Sequence, residues 1–142
     1  MIAERCSGLQ ARAYKNGETV WSAAQFEKAI ADDDAVFVHC EDGFALGRVI
    51  SSEAELFAVA VEPSASRKGT GSTLLSDFLT QCRNRRAEQV FLEVSVGNAP
   101  AIAFYIKHGF RRIGQRREYY ATPQGKLDAL VLRRDLFHAS RH

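Results

Sequence analysis

Leu56-Phe57-Ala58-Val59-Ala60-Val61-Glu62-Pro63-Ser64-Ala65-Ser66-Arg67-Lys68-Gly69-Thr70-Gly71-Ser72 runs from an apolar, β-prone segment into a turn that holds two glycines. After it, Leu74, Leu75, Phe78, Leu79 and Cys82 recur at the spacing of one buried stripe, which predicts a helix over about 71–86. Gln89–Val96 returns to strand. Asn98 as cap, Pro100 in the first turn and Gly109 as stop then predict a helix over Ala99–His108. Two strands joined through a helix of this length are expected to be parallel, with a right-handed crossover. Ligands bind beyond the carboxyl ends of such strands, here near Val61 and Val96.

Outward from this unit the elements alternate. Two helices are expected at Ala3–Tyr14 and Ser22–Ala31, the second opened by a Ser22 cap. Ala35–Cys40 and Phe44–Ile50 read as strands joined around Asp42-Gly43, a hairpin signal, and Leu56–Val61 is the third strand. Strands near Phe110–Tyr119 and Lys126–Arg134 complete the chain. The class is therefore α/β (α+β): a mixed central sheet with one parallel pair and helices on both faces. At 142 residues and 46% hydrophobic content, residues 1–142 make one domain with a real core.

A formal charge of +2 announces neither a nucleic-acid binder nor a membrane-surface protein. Arginines concentrate after residue 80, but without the aromatic interleaving of a single-strand nucleic-acid surface. Cys6, Cys40 and Cys82 form no CxxC pair and the four histidines have no ligand spacing, so no metal and a reducing, cytoplasmic compartment are expected. No apolar run has membrane-spanning length, and no signal-peptide core is found.

The turn at residues 64–72 suits an anion. Gly69 and Gly71 let the backbone fold tightly, so that amides at the helix start, from Thr70 to Ser72, converge on one phosphate group with help from the helix dipole. Arg67 and Lys68 add positive charge, and a pyrophosphate is the natural guest. Neither a Walker loop nor the Gly-x-Gly-x-x-Gly dinucleotide pattern is present.

On the strand Gln89–Val96, Phe91, Glu93 and Ser95 share one face. A carboxylate in such a strand is costly unless it is paired, for instance with an arginine, or used in chemistry. Asn98, Ala101 and Tyr105 fall on one side of the next helix, toward the same strand end. A base and a phenolic acid would then share one site, although Tyr105 could equally be a core aromatic beside Phe104.

These motifs resemble those of the GNAT (Gcn5-related N-acetyltransferase) enzymes, whose signature is Gln/Arg-x-x-Gly-x-Gly/Ala. Gly69 and Gly71 match it, while Ser66 stands at the leading position. Leu92-Glu93-Val94-Ser95-Val96-Gly97-Asn98-Ala99-Pro100-Ala101-Ile102-Ala103-Phe104-Tyr105, continued by Gly109-Phe110, is similar to RimI-type members, bacterial acetyltransferases of a ribosomal protein's N-terminal alanine. The likeness covers about residues 20–135, including Trp21-Ser22, Phe26, Arg116-Arg117-Glu118-Tyr119-Tyr120 and Asp128-Ala129. It implies a GNAT fold that lacks the family's first strand.

It also implies acetyl-CoA as acetyl donor, its pyrophosphate over Arg67–Ser72 and its pantetheine arm beside Val59, Ala60 and Val61. In the family's pattern Glu93 is the base, Tyr105 the acid and Asn98 a cofactor contact. Tyr119, Tyr120 and Asp128 grip the acceptor, with Trp21 and Phe26 as an apolar wall. The expected acceptor is a protein N-terminus, with a small-molecule amine or a lysine side chain as the same-fold alternative. A non-catalytic acyl-CoA-binding module is the reading from another class, and it would be favoured by loss of Glu93 or Tyr105. Both are present.

Overall fold

In the computed structural model, residues 1–14, 20–65, 68–122 and 125–136 are described, with the side chains of residues 120–122 excepted. The elements run α1 (Ile2–Ala13), α2 (Ala23–Ala31), β1 (Ala35–Cys40), β2 (Gly43–Ile50), β3 (Glu53–Val61), a 3-10 turn (Pro63–Ala65), α3 (Thr70–Asn84), β4 (Gln89–Ser95), α4 (Ala99–Lys107), β5 (Arg111–Thr122) and β6 (Gly125–Asp135). They build one six-stranded sheet in the order β1-β2-β3-β4-β6-β5. β3 and β4 are its parallel pair and the other neighbours are antiparallel. Two helices precede the first strand, as expected, and β1 ends the strand order.

Local sequence accounts for most boundaries. Ser22 opens α2 with a reciprocal capping box: its hydroxyl accepts from Gln25 N–H and its own N–H donates to Gln25 Oε1. Asn98 Oδ1 accepts from Ala101 N–H at 3.2 Å and caps α4, with proline in the first turn. β3 begins at Glu53 rather than Leu56, because Ser51-Ser52 closes a second tight hairpin with Ser51 at φ 55°. A serine in the left-handed region carries no glycine or asparagine signal to reveal it.

The sheet separates two cores. On one face α3 and α4 cover Val36, Ala45, Val49, Ala54, Leu56, Val90 and Leu92, with Phe78 and Leu75 fully buried at the centre. Gly47 is obligatory beneath α3, since a Cβ there would lie 2.1 Å from Glu55 O and 2.7 Å from the Phe78 ring. On the other face Cys6 and Leu9 of α1 and Phe26 of α2 pack on Phe44, Leu46, Ala58 and Ala60.

Ala54 and Leu56 thus belong to one core and Ala58 and Ala60 to the other, although all four are even-numbered. The register supplies the reason. Gly47 pairs with Leu56 and Leu46 with Ala58, so Phe57 is an extra residue, a bulge that reverses the alternation of β3 and bends it.

Candidate active site

The parallel pairing of β3 with β4 is confined to Glu53–Gln89, Ala54–Val90 and Glu55–Phe91. Past the Phe57 bulge the two strands part, and a cavity of about 610 Å³ opens between them. Val59, Ala60 and Val61 form its β3 side; Leu92, Glu93 and Val94 form its β4 side. Asn98, Ala101 and Tyr105 of α4 close one end, so the three residues expected on one helix side do meet Glu93 at one opening.

Glu93 is a quarter exposed, and both its oxygens lie against Arg116 Nη1, at 2.8 and 3.1 Å. The register places this arginine. Ser95 and Arg116 both pair with Ala129 of β6, so Arg116 reaches across the middle strand over a residue too small to block it. Its guanidinium also lies 4.2 Å over the Tyr119 ring. The hydrogen bond to Glu93, and then its charge, push the Arg116 pKa up and keep it cationic. The arginine partnership and the position at the mouth of the cavity therefore coexist.

Tyr105 is half-buried, its ring edge-on to Phe104 and Phe110. The segment before α4 is built to hold its direction: Val96 N–H donates to Asp128 O, Gly97 N–H to Ser95 Oγ, and Asn98 N–H to Ser95 O. Cys82, by contrast, is fully buried in the core and burial pushes its thiol up to about 12, so it is no nucleophile.

At the turn expected to hold phosphate, Gly69 is the N-cap of α3 with φ 79°, and no side chain caps the helix. Amides of Thr70, Gly71 and Ser72, which have no partner inside a helix, are thus presented outward beside exposed Lys68. Gly71 lies against Val61 and Phe104, 3.7 and 3.5 Å from where its Cβ would sit, which ties this helix end to the cavity rim. Lys68–Ser72 do not themselves line the cavity, and Arg67 lies outside the described residues. Ser72 Oγ is 3.0 Å from His108 Nε2 at the end of α4. Burial first, then Lys107 and Arg134, push His108 below its ordinary range, which favours the neutral ring. Among the described residues no cluster of three or more His, Cys, Asp or Glu is placed to hold a metal ion, and no helix is long and apolar enough to cross a membrane.

The acceptor residues divide. Trp21 and Tyr119 line the cavity. Phe26 does not: it is fully buried, 5.3 Å behind Trp21 and edge-on to Phe44, because α2 turns its capped first turn onto the sheet. Asp128 does not line the cavity either. Its carboxylate accepts from Glu118 N–H at 2.8 Å and from the Gln115 side chain, pinning the β5 irregularity where Glu118 has φ 51°. The Tyr120 side chain lies outside the described residues.

The family model for the acetyltransferase (GNAT) family matches residues 4–110. The chain belongs to the GNAT family. Among relatives, it is 40% identical over 89 residues to the [ribosomal protein bS18]-alanine N-acetyltransferase of Salmonella typhimurium, which covers 63% of this chain and 60% of that protein. The matched segment thus spans somewhat under two thirds of that relative's length. The N-alpha-acetyltransferase RimI of Mycobacterium tuberculosis is 32% identical across 94% of this chain and 86% of its own. In structure, the ribosomal-protein-S18-alanine N-acetyltransferase of Escherichia coli superposes with a TM-score of 0.85 at 28% identity, over 99% of this chain and 91% of that one.

Two residues of this GNAT site carry no assignment from the sequence. Arg116 is one, since its meeting with Glu93 depends on strand order. Gln10 and its neighbours Ala13 and Tyr14 bring α1 to the cavity wall. Arg12 holds the helix there, with Nε and Nη2 at 2.7 and 3.0 Å from the Glu62 carboxylate just past β3. The available signal was a glutamine on the stripe of Cys6, Leu9 and Ala13, where an apolar residue is ordinary.

Proposed function

We propose that the protein is an acetyl-CoA-dependent N-acetyltransferase acting on the α-amine of a protein N-terminus, an alanine of a ribosomal protein. The observation that carries the reading is that Glu93 and Tyr105 line one cavity at the parted ends of β3 and β4. The open inner edge of Val59–Val61 offers backbone groups to the pantetheine amides, and the uncapped start of α3 offers its amides to the pyrophosphate. Glu93 takes a proton from the acceptor ammonium, directly or through water. The neutral amine attacks the thioester carbon and the C–S bond breaks. Tyr105 donates its phenolic proton to the departing sulfur, and the second proton released as the acylated nitrogen becomes an amide restores the phenol, leaving the amide, the free thiol and protonated Glu93.

An α-amine, with a reference pKa of about 7.7–8.0 against about 10.4 for lysine, is within reach of one carboxylate base near neutral pH. Trp21 and Tyr119 flank the acceptor end, and the printed names of the relatives above support a protein substrate. The test offers peptides with free and blocked N-termini, internal lysines and small amines, and follows free thiol and peptide mass. Acetylation confined to the free α-amine supports the reading; preference for lysine or a small amine overturns it.

A further inference from the structure

Gln10 is the polar side chain on the buried stripe of α1, and it is only 2% exposed. Its carboxamide has one end committed: Oε1 accepts from Trp21 N–H at 2.7 Å, and because a backbone N–H requires an acceptor this fixes which end is oxygen. The NH2 end has no hydrogen-bond partner among the described residues, while Gln10 borders the cavity that Glu93 and Tyr105 also line. That nitrogen is not among the closed-off atoms left without a partner, so it opens on the cavity, where a ligand acceptor is its natural complement. α1 lies on one face of the sheet, and the uncapped start of α3 belongs to the helix covering the other. Gln10 therefore meets the molecule arriving from the side opposite the phosphate turn.

We infer that Gln10 is an acceptor-binding residue whose NH2 donates to a backbone carbonyl within the first two residues of the incoming peptide. Trp21 sets the direction of that donor. The inference rests on the peptide reading above. It supplies a selectivity that a base and an acid alone lack, since a lysine side chain or a simple amine has no carbonyl at that distance from its nitrogen.

The experiment compares an alanine-initiated peptide with analogues carrying a trans-alkene in place of the first or the second amide. Each is assayed with the wild type, with Gln10→Met, and with Gln10→Glu, which keeps an acceptor for Trp21 N–H and removes the donor. In the wild type one of the two alkenes lowers kcat/KM by about 10-fold or more, the worth of one buried hydrogen bond. In both variants that ratio falls toward one, while KM for acetyl-CoA is unchanged. The ratio is taken within each variant, so a reduced folded fraction does not alter it. Wild-type ratios retained in the variants, no alkene effect at either bond in the wild type, or a shift confined to acetyl-CoA KM each overturn the assignment of Gln10 alone. If the wild type acetylates small amines or lysines and not the plain peptide, the peptide reading falls and takes this inference with it.

Discussion

Arg116 holds both oxygens of Glu93 with a single nitrogen, across the width of β6. The pair is well exposed on the arginine side, so water screens it and its share of stability is small. Glu93→Gln is therefore expected to lower turnover by about 10²–10⁴-fold with the fold intact, the usual effect of losing a positioned base. Arg116→Met should lower turnover far less. Free-thiol release and a thermal melt on each variant check both statements.

Tyr105→Phe removes one hydroxyl and keeps the ring on Phe104 and Phe110. The expected outcome is a kcat lowered by about 10²-fold or more with little change in melting temperature or in acetyl-CoA affinity. Equal turnover in the two proteins at neutral pH would remove Tyr105 from the acid role.

At Gly69 the constraint is backbone and not space, because an added Cβ would meet nothing within 4 Å. At φ 79° a β-branched residue costs roughly 1–2 kcal/mol, whereas asparagine visits this region readily. Calorimetry should find acetyl-CoA bound weakly by Gly69→Val and close to normally by Gly69→Asn. Normal affinity in the valine variant would remove the pyrophosphate from this turn.

Two carboxylates contribute to the acid limit. The Glu118 N–H, and then Gln115, hold Asp128 below its ordinary 3.8, and the Arg12 hydrogen bond holds Glu62 below its ordinary 4.5. A folded-state pKa below the unfolded one gives stability that is present above the unfolded value and lost as pH falls through the folded value. Urea midpoints should thus decline as pH drops from 4.5 through 3.8 and below, and less steeply in Asp128→Asn. An unchanged slope would show that Asp128 does not contribute.

The parallel pair, the Ser22 and Asn98 caps and the meeting of Glu93 with Asn98 and Tyr105 were legible because each depends on residues close in sequence or on strict periodicity. The Phe57 bulge was not, since Leu56–Val61 reads as an unbroken apolar run and only the facing register reveals the extra residue. Phe26 lies behind the wall and not in it for a related reason: Trp21, just before the Ser22 cap, packs on Phe26, the fourth residue of α2, and which of the two meets the cavity depends on how α2 sits on the sheet. Asp128 showed a carboxylate but not the Glu118 amide that occupies it, because that contact spans an irregular hairpin.

The bulge also means that the protein carries an unpaired strand edge in its interior. Alternate amides of Val59–Val61 have no neighbouring strand on the β4 side, and they face the cavity instead of the rim of the sheet where such edges ordinarily lie. In hydrogen–deuterium exchange this short stretch should behave as a surface edge in the free protein and as the centre of a sheet once a donor molecule is bound, which makes three residues a reporter of occupancy that requires no turnover.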